Sequence, residues 1–206
     1  MPRSPTLGLV FVGDSVAFGT GDEAGLGGWK GRVSACLAES FTEPAIDDFA
    51  VQGAPTADVL AEQCPRMTGR YAVGFAACGA NDVIGLHYDG ATTLQNLEDI
   101  YAALSDVSEV TVVLTIADFV AIRGLGTRAR RLSARLHQTN EAIRAAVSSL
   151  GASVVDLAAT PEASDPRCWS GDNLHPSAFG YDFIAGQVLS RLRDLSVVAS
   201  DLTNDQ

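Results

Sequence analysis

A three-layer α/β/α sandwich on a parallel sheet is the fold class this 206-residue sequence predicts, and three observations carry the prediction. Short continuous apolar runs rich in Val, Ile and Phe recur along the chain, as in strands buried on both faces. Stretches of helical period separate them. The alternation repeats five times without an internal repeat or an interdomain linker, the layout of one domain with helices on both faces of one sheet. Right-handed crossovers then make a flavodoxin-like five-stranded order, 2-1-3-4-5, the expected topology. A single domain is expected over residues 1–197, followed by a polar tail at 198–206.

The apolar runs fall at 7–12, 45–51, 71–78, 109–117 and 152–157. The clearest helical pattern is 131–150, where Leu132, Leu136, Thr139, Ile143, Val147 and Leu150 share one stripe before Gly151. At 178–193 the stripe is Phe179, Phe183, Ile184, Val188, Leu189 and Leu192. Weaker helical patterns cover 29–41, 56–66 and 93–105.

Composition narrows the function classes. A hydrophobic share of 47% with 19% charged residues is that of a soluble globular chain, and a formal charge of −11 argues against nucleic acid or an anionic membrane as partner. No apolar stretch approaches the roughly 20 residues of a membrane span. Cys36, Cys64, Cys78 and Cys168 are widely spaced, form no CxxC pair and read as small hydrophobes in a reducing compartment. Two prolines precede the first apolar run within ten residues, unlike a signal peptide, so a cytoplasmic location is expected. No cluster has metal-ligand spacing, so neither a metal nor a cofactor is expected.

The topology places a ligand site outside the carboxyl ends of the strands, at the switch point between strands 1 and 3. The residues that follow those two strands are Gly13-Asp14-Ser15 and Gly79-Ala80-Asn81-Asp82. A serine hydroxyl becomes a nucleophile when a base takes its proton, and that base is usually a histidine oriented by a carboxylate. Of the three histidines, His175 lies in the loop after strand 5 with Asp172 three residues earlier. That spacing lets a carboxylate meet one ring nitrogen and leaves the other facing Ser15. Pro176 restricts the His175 backbone to extended or turn conformations. By itself Asp-x-x-His-Pro fits a helix-capping loop equally well. Oxyanion donors are available from the Ser15 N–H, from Gly53 after strand 2 and from the Asn81 side chain. Each alone reads as a turn residue; their arrival at one edge of the sheet points to a site.

These four blocks together resemble those of the SGNH hydrolases, the GDSL esterase/lipase family. Gly13-Asp14-Ser15 is similar to the first block, Gly53 to the glycine of the second, Gly79-x-Asn81-Asp82 to the third and Asp172-x-x-His175-Pro176 to the last. The resemblance spans residues 9 to 181. It implies Ser15 as nucleophile, His175 as base, Asp172 as its partner, and Ser15, Gly53 and Asn81 as the oxyanion hole. It also implies an esterase that hydrolyses carboxylic esters, with small or lipid-like acyl groups, through an acyl-enzyme. A small-molecule ester is the implied partner. Thioesterase, lysophospholipase or acyltransferase chemistry on the same site is the alternative, and a non-catalytic binding module a further one. Val16 stands where leucine is usual, and Gln52 makes the second block the loosest match.

Asp14 and Asp82 read as turn-holding carboxylates, His87 as a solvated loop residue and His137 as a structural residue within a helix. Two segments are candidates for shaping specificity. "GTGDEAGLGGWKGRV" carries six glycines in its first thirteen residues and reads as a mobile loop beside the site. "DFVAIRGLGTRARR" supplies Phe119, Val120, Ile122 and Leu125 as an acyl wall. Arg123, Arg128, Arg130, Arg131 and Arg135 read either as a basic rim or as a solvated helix start.

Overall fold

The computed structural model of the chain describes residues 8–38, 45–123 and 126–197. Five strands, β1 (Gly8–Gly13), β2 (Ala45–Asp48), β3 (Tyr71–Ala77), β4 (Ser108–Leu114) and β5 (Ser153–Val155), pair in parallel in the order β2-β1-β3-β4-β5. The predicted strand order and layering are observed. The polar tail at 198–206 lies outside the described residues.

Side chains alternate across a strand, so β1 feeds two cores. Leu9 and Phe11 face a layer made by α2 (Gly28–Ala38) and α8 (Ala178–Asp194), where they meet Trp29, Phe75, Tyr181 and Val188. Phe11 stacks on Phe75 at 4.8 Å, and Trp29 meets both rings edge-on at 5.5 and 5.6 Å. Val10 and Val12 face the opposite layer, made by α5 (Gly90–Val107) and α7 (Ala129–Leu150), where Leu97, Ile100, Leu104 and Ile143 are buried. Truncating Phe11 to Ala removes the centre of the aromatic cluster, a change that costs about 3–5 kcal/mol in a packed core.

Several boundaries differ from the sequence reading. The run at 45–51 forms a strand only over Ala45–Asp48, and all four residues are exposed. β2 is an edge, blunted by Asp47, which accepts the Tyr71 hydroxyl at 2.6 Å, and by Asp48, which pairs with Lys30. The stretch 56–66 is not one helix. It is α3 (Thr56–Asp58), a π-helical turn (Val59–Gln63) and a 3₁₀ turn (Cys64–Arg66). In α8 the expected buried Phe179 is 45% exposed under the Arg167 guanidinium. Gly180 takes the inward place because a Cβ there would lie 2.0 Å from the Cys168 carbonyl oxygen. Leu150 lies exposed at the end of α7, whereas Asn140 and Ala146 join the buried face. Three short helices at strand ends complete the fold: α1 (Ser15–Phe18), α4 (Ala80–Ile84) and α6 (Phe119–Arg123). Among the described residues no helix is long and apolar enough to cross a membrane.

Candidate active site

Strand β1 stops at Gly13 for a steric reason. Its φ is +141°, and a Cβ there would sit 2.1 Å from the Ala77 carbonyl oxygen. The chain then turns sharply: the Asp14 N–H donates to Ala77 O at 3.0 Å, and the Asp14 carboxylate caps α1 by accepting the Val16 N–H at 2.9 Å. Asp14 is therefore a buried cap, in line with the turn-holding role read for it. Burial pushes its carboxyl up to about 7, outweighing the N–H groups of Val16 and Ala80 that favour the anion. Ser15 is the first residue of α1, so its N–H has no acceptor within the helix.

The last loop brings a histidine to this serine. The Ser170 N–H donates to the His175 carbonyl at 2.9 Å, and Asn173, at φ +54°, closes a tight turn between them. Asn tolerates that left-handed conformation better than most residues. Inside the turn the Asp172 carboxylate accepts the N–H groups of Leu174 (2.8 Å) and His175 (3.0 Å) and the Ser170 hydroxyl (2.9 Å). Its other oxygen lies 2.6 Å from His175 Nδ1. Partial burial acts to raise the Asp172 carboxyl, but these donors outweigh it and hold the group well below the usual carboxylate range. His175 Nε2 then lies 3.0 Å from Ser15 Oγ, across 160 positions of sequence.

Asn81, in the first turn of α4, lines the same cleft and donates from Nδ2 to the Ala54 carbonyl at 3.2 Å. An amide nitrogen has two hydrogens, which leaves one for a ligand. Asp82 accepts both the N–H (2.9 Å) and the hydroxyl (2.7 Å) of Thr56, so the chain after β2 is tied to α4. Gly53, at φ +83°, stands apart. It is exposed and lines a separate polar pocket with Gln52, Asp58 and Glu62, linked to Asn81 through its neighbour Ala54.

The cleft itself has a volume of about 640 Å³, including its mouth. Ser15, Asn81 and His175 lie among apolar walls supplied by Ile84, Ile116, Phe119, Leu157, Trp169 and Leu174. Of the expected acyl wall, Phe119 is in place. Val120 is buried in the core beneath α6, Ile122 is half-buried, and Leu125 lies outside the described residues, as does the side chain of Arg123. Arg135 is committed elsewhere, donating to the carbonyls of Val83 and Gly85 at 3.0 and 2.8 Å and so holding the end of α4. Arg128, Arg130 and Arg131 are exposed. His87 and His137 are both exposed, the latter on the outer face of α7 rather than inside the fold. Among the described residues no group of His, Cys, Asp or Glu is placed to hold a metal.

Two features were not legible in the sequence. The glycine-rich segment after Ser15 is stapled in place. Asp22 takes Arg32 in a two-pronged pair (2.7 and 3.1 Å), and Tyr181 donates to Thr20 O at 2.7 Å. A Cβ on Gly21 would lie 3.0 Å from His175 Cβ, so this glycine lets the segment back the histidine directly. The second feature is Gln63, on the π-helical turn and 1% exposed. It accepts the Gly13 N–H at 2.8 Å and donates to the Gly13 carbonyl at 2.9 Å. A glutamine inside an apparently ordinary helical stretch carries no signal for that contact.

Comparison with known proteins bears on the family and the fold. The model of the GDSL-like lipase/acylhydrolase family matches residues 11–183. Among solved structures, a lipase/acylhydrolase from Enterococcus faecalis superposes with a TM-score of 0.72 at 20% identity, covering 92% of this chain and 97% of that one. A lipolytic protein of the G-D-S-L family from Veillonella parvula gives 0.72 at 18% identity over 90% and 97%. A variant of Axe2, an acetyl xylan esterase from Geobacillus stearothermophilus, gives 0.72 at 17% over 93% and 97%. At such identities the likeness is one of fold. No curated protein sequence matches the chain.

Proposed function

The chain belongs to the GDSL-like lipase/acylhydrolase family and is a hydrolase acting on ester bonds, and on that premise we propose that it works as a serine esterase through an acyl-enzyme on Ser15. The reading rests on the relay of Asp172, His175 and Ser15, at 2.6 and 3.0 Å, opening into an apolar cleft. Ser15 Oγ attacks the ester carbonyl carbon while His175 Nε2 takes its proton. Asp172, kept ionised by its four hydrogen-bond donors, holds the ring by Nδ1 and offsets the charge that forms on it. The Ser15 N–H and the free amide hydrogen of Asn81 receive the negative charge of the tetrahedral intermediate, and the Gly53 N–H, which lines the neighbouring pocket, is the third donor that the family resemblance implies. His175 then protonates the departing alkoxide. In the second half-reaction it takes a proton from water, whose oxygen attacks the acyl carbon, and returns that proton to Ser15 Oγ as the acyl–serine bond breaks and the acid leaves.

The test is hydrolysis of p-nitrophenyl butyrate by the parent chain and by Ser15→Ala and His175→Ala. Both variants are expected to lose turnover while keeping the parent's circular dichroism and melting temperature. Near-normal rates in folded Ser15→Ala would overturn the mechanism. A thioester and an alcohol acceptor in the same panel separate thioester hydrolysis and acyl transfer from hydrolysis of oxygen esters.

A further inference from the structure

Ser15 and His175 lie 160 positions apart, so the 3.0 Å between Oγ and Nε2 must be held by tertiary contacts. Segment 19–28 spans the gap. It starts on the nucleophile, where the N–H groups of Gly19 and Thr20 both donate to the Ser15 carbonyl, at 3.0 and 2.9 Å. Its middle lies on the base: a Cβ on Gly21 would stand 2.7 Å from the Pro176 carbonyl oxygen and 3.0 Å from His175 Cβ. It ends beside its own start, where a Cβ on Gly28 would come within 2.7 Å of the Gly19 Cα.

A single guanidinium ties this segment to α8, the helix that follows His175. Arg32 takes Asp22 in its two-pronged pair and donates to Gly28 O at 3.0 Å. It also reaches α8, through Ala178 O at 3.3 Å and the Asp182 carboxylate. Asp22 in turn accepts the N–H groups of Leu26 and Gly28 at 3.1 and 2.9 Å, and Glu23 accepts that of Ala178 at 3.0 Å. The Arg32 and Asp22 side chains are 10% and 2% exposed, so the pair is little screened by solvent. A guanidinium offers five N–H donors in a rigid plane, whereas an ammonium offers three on one atom and cannot bridge these acceptors.

We propose that Arg32, acting through Asp22, is a positioning residue for the relay: it fixes segment 19–28 between Ser15 and His175 and so sets the distance over which the proton passes. The inference rests on the esterase reading and adds to it a residue outside the cleft. Proton transfer needs the two heavy atoms within about 2.6–3.2 Å of each other, and a misplacement of about 1 Å costs on the order of a hundredfold in rate. Arg32 does not line the cleft, so its loss should act on the rate of attack and leave substrate binding alone.

Two variants test the proposal. Arg32→Lys keeps the charge and loses the fork; Asp22→Asn weakens the pair more gently and decides the matter if the first does not fold. Each is read with p-nitrophenyl butyrate and with diethyl p-nitrophenyl phosphate, from which Ser15 Oγ displaces p-nitrophenolate in a single burst. In Arg32→Lys the burst rate constant at saturating reagent is expected to fall at least about tenfold. Half-saturation should stay within about twofold of the parent's, and the full burst amplitude should remain. Asp22→Asn should slow the burst at least about threefold, and kcat/KM on the butyrate should fall in step. A merely structural part for Arg32 leaves fewer competent molecules, hence a smaller burst at the parent's rate constant, and that outcome overturns the proposal. Parent rates in both variants overturn it too, as does a change confined to half-saturation. If the parent hydrolyses butyrate and both variants match it, the positioning role falls and the esterase reading stands. If the parent is phosphorylated on Ser15 yet turns over no ester, the esterase reading falls; a slower burst in the variants then upholds the positioning role and an unchanged one removes it. A parent inert to both reagents removes both.

Discussion

Gln63 and Asn140 are buried carboxamides that do the same thing at two places along the carboxyl edge of the sheet. Gln63 holds both backbone groups of Gly13, at the end of β1, at 2.8 and 2.9 Å. Asn140 holds both backbone groups of Ile116, beyond β4, at 2.8 and 2.9 Å. The two clamped residues have different tasks. Gly13 leads through Asp14 to Ser15, where a nucleophile must be aimed. Ile116 is itself a wall of the cleft, where only volume matters. Around Gly13 the chain has added further directional bonds, from Val51 to the Gly13 carbonyl and from Thr56 to Asp82. Around Ile116 it has added apolar surface, Phe119 and Leu157. Aiming a reacting atom calls for hydrogen bonds with steep angular dependence, whereas filling a cleft calls for contacts that tolerate small shifts.

The two clamps should part most visibly when their amides are removed. Gln63→Leu leaves the buried Gly13 N–H without a partner, at a cost of about 1–3 kcal/mol, and its carbonyl with the Val51 N–H alone, so the melting temperature should fall below the parent's. Asn140→Leu should cost a similar amount of stability. Only the Gln63 variant, however, is expected to lower kcat on p-nitrophenyl butyrate, because only Gly13 leads to Ser15. Equal effects on kcat would show that the two clamps do not divide as described. Next in size is Asn81→Ala, which removes one oxyanion donor and should lower kcat by about 10²–10³ with KM little changed. A rise in KM alone would move Asn81 from the reacting atoms to the binding of the ground state.

The polar side also differs from the apolar side in how its stability responds to pH, because it carries a buried acid. Asp14 binds its proton up to about pH 7 when folded, against an ordinary value of 3.8, so the folded chain holds more protons between these limits. Stability from this group should therefore fall as pH rises from about 4 to about 7 and level off above, with a slope of at most about 1.4 kcal/mol per pH unit. Asp14→Asn should flatten melting temperature against pH in that window. An unchanged slope would mean the carboxyl titrates normally. The smallest effect belongs to the apolar side. Ile116→Val should cost about 0.5–1.5 kcal/mol and shift KM for short esters, leaving kcat near the parent's.

The residues proposed to carry the chemistry were legible because their constraints are local. Gly13-Asp14-Ser15 must turn sharply out of a buried strand, and Asp172-x-x-His175-Pro176 encloses its own hydrogen bonds within one turn. The strand order was legible for a related reason: period and run length report burial of each element one at a time. Other features needed partners far along the chain. Gln63 lies 50 residues from Gly13, and polar residues in helical stretches usually face solvent. The six glycines after Ser15 suggest freedom, yet Gly21 is small because His175 packs against it. The run at 45–51 looked buried, but a strand at the sheet edge has only one neighbour to cover it.

Local pattern was enough to specify most segments that become strands and helices, the order in which strands meet, and the four blocks that arrive at one edge. Those properties come from hydrophobic period, crossover handedness and turn chemistry, each of which acts over a few residues or a single connection. How the edge is held and what shape of ligand it offers emerged only once the elements were packed together. The Gly13 clamp, the stapled glycine segment and the apolar walls of the cleft each depend on side chains brought together from separate elements. Close packing sets where a buried amide finds its partner and where space is left between helix and sheet, and no short stretch of sequence encodes either.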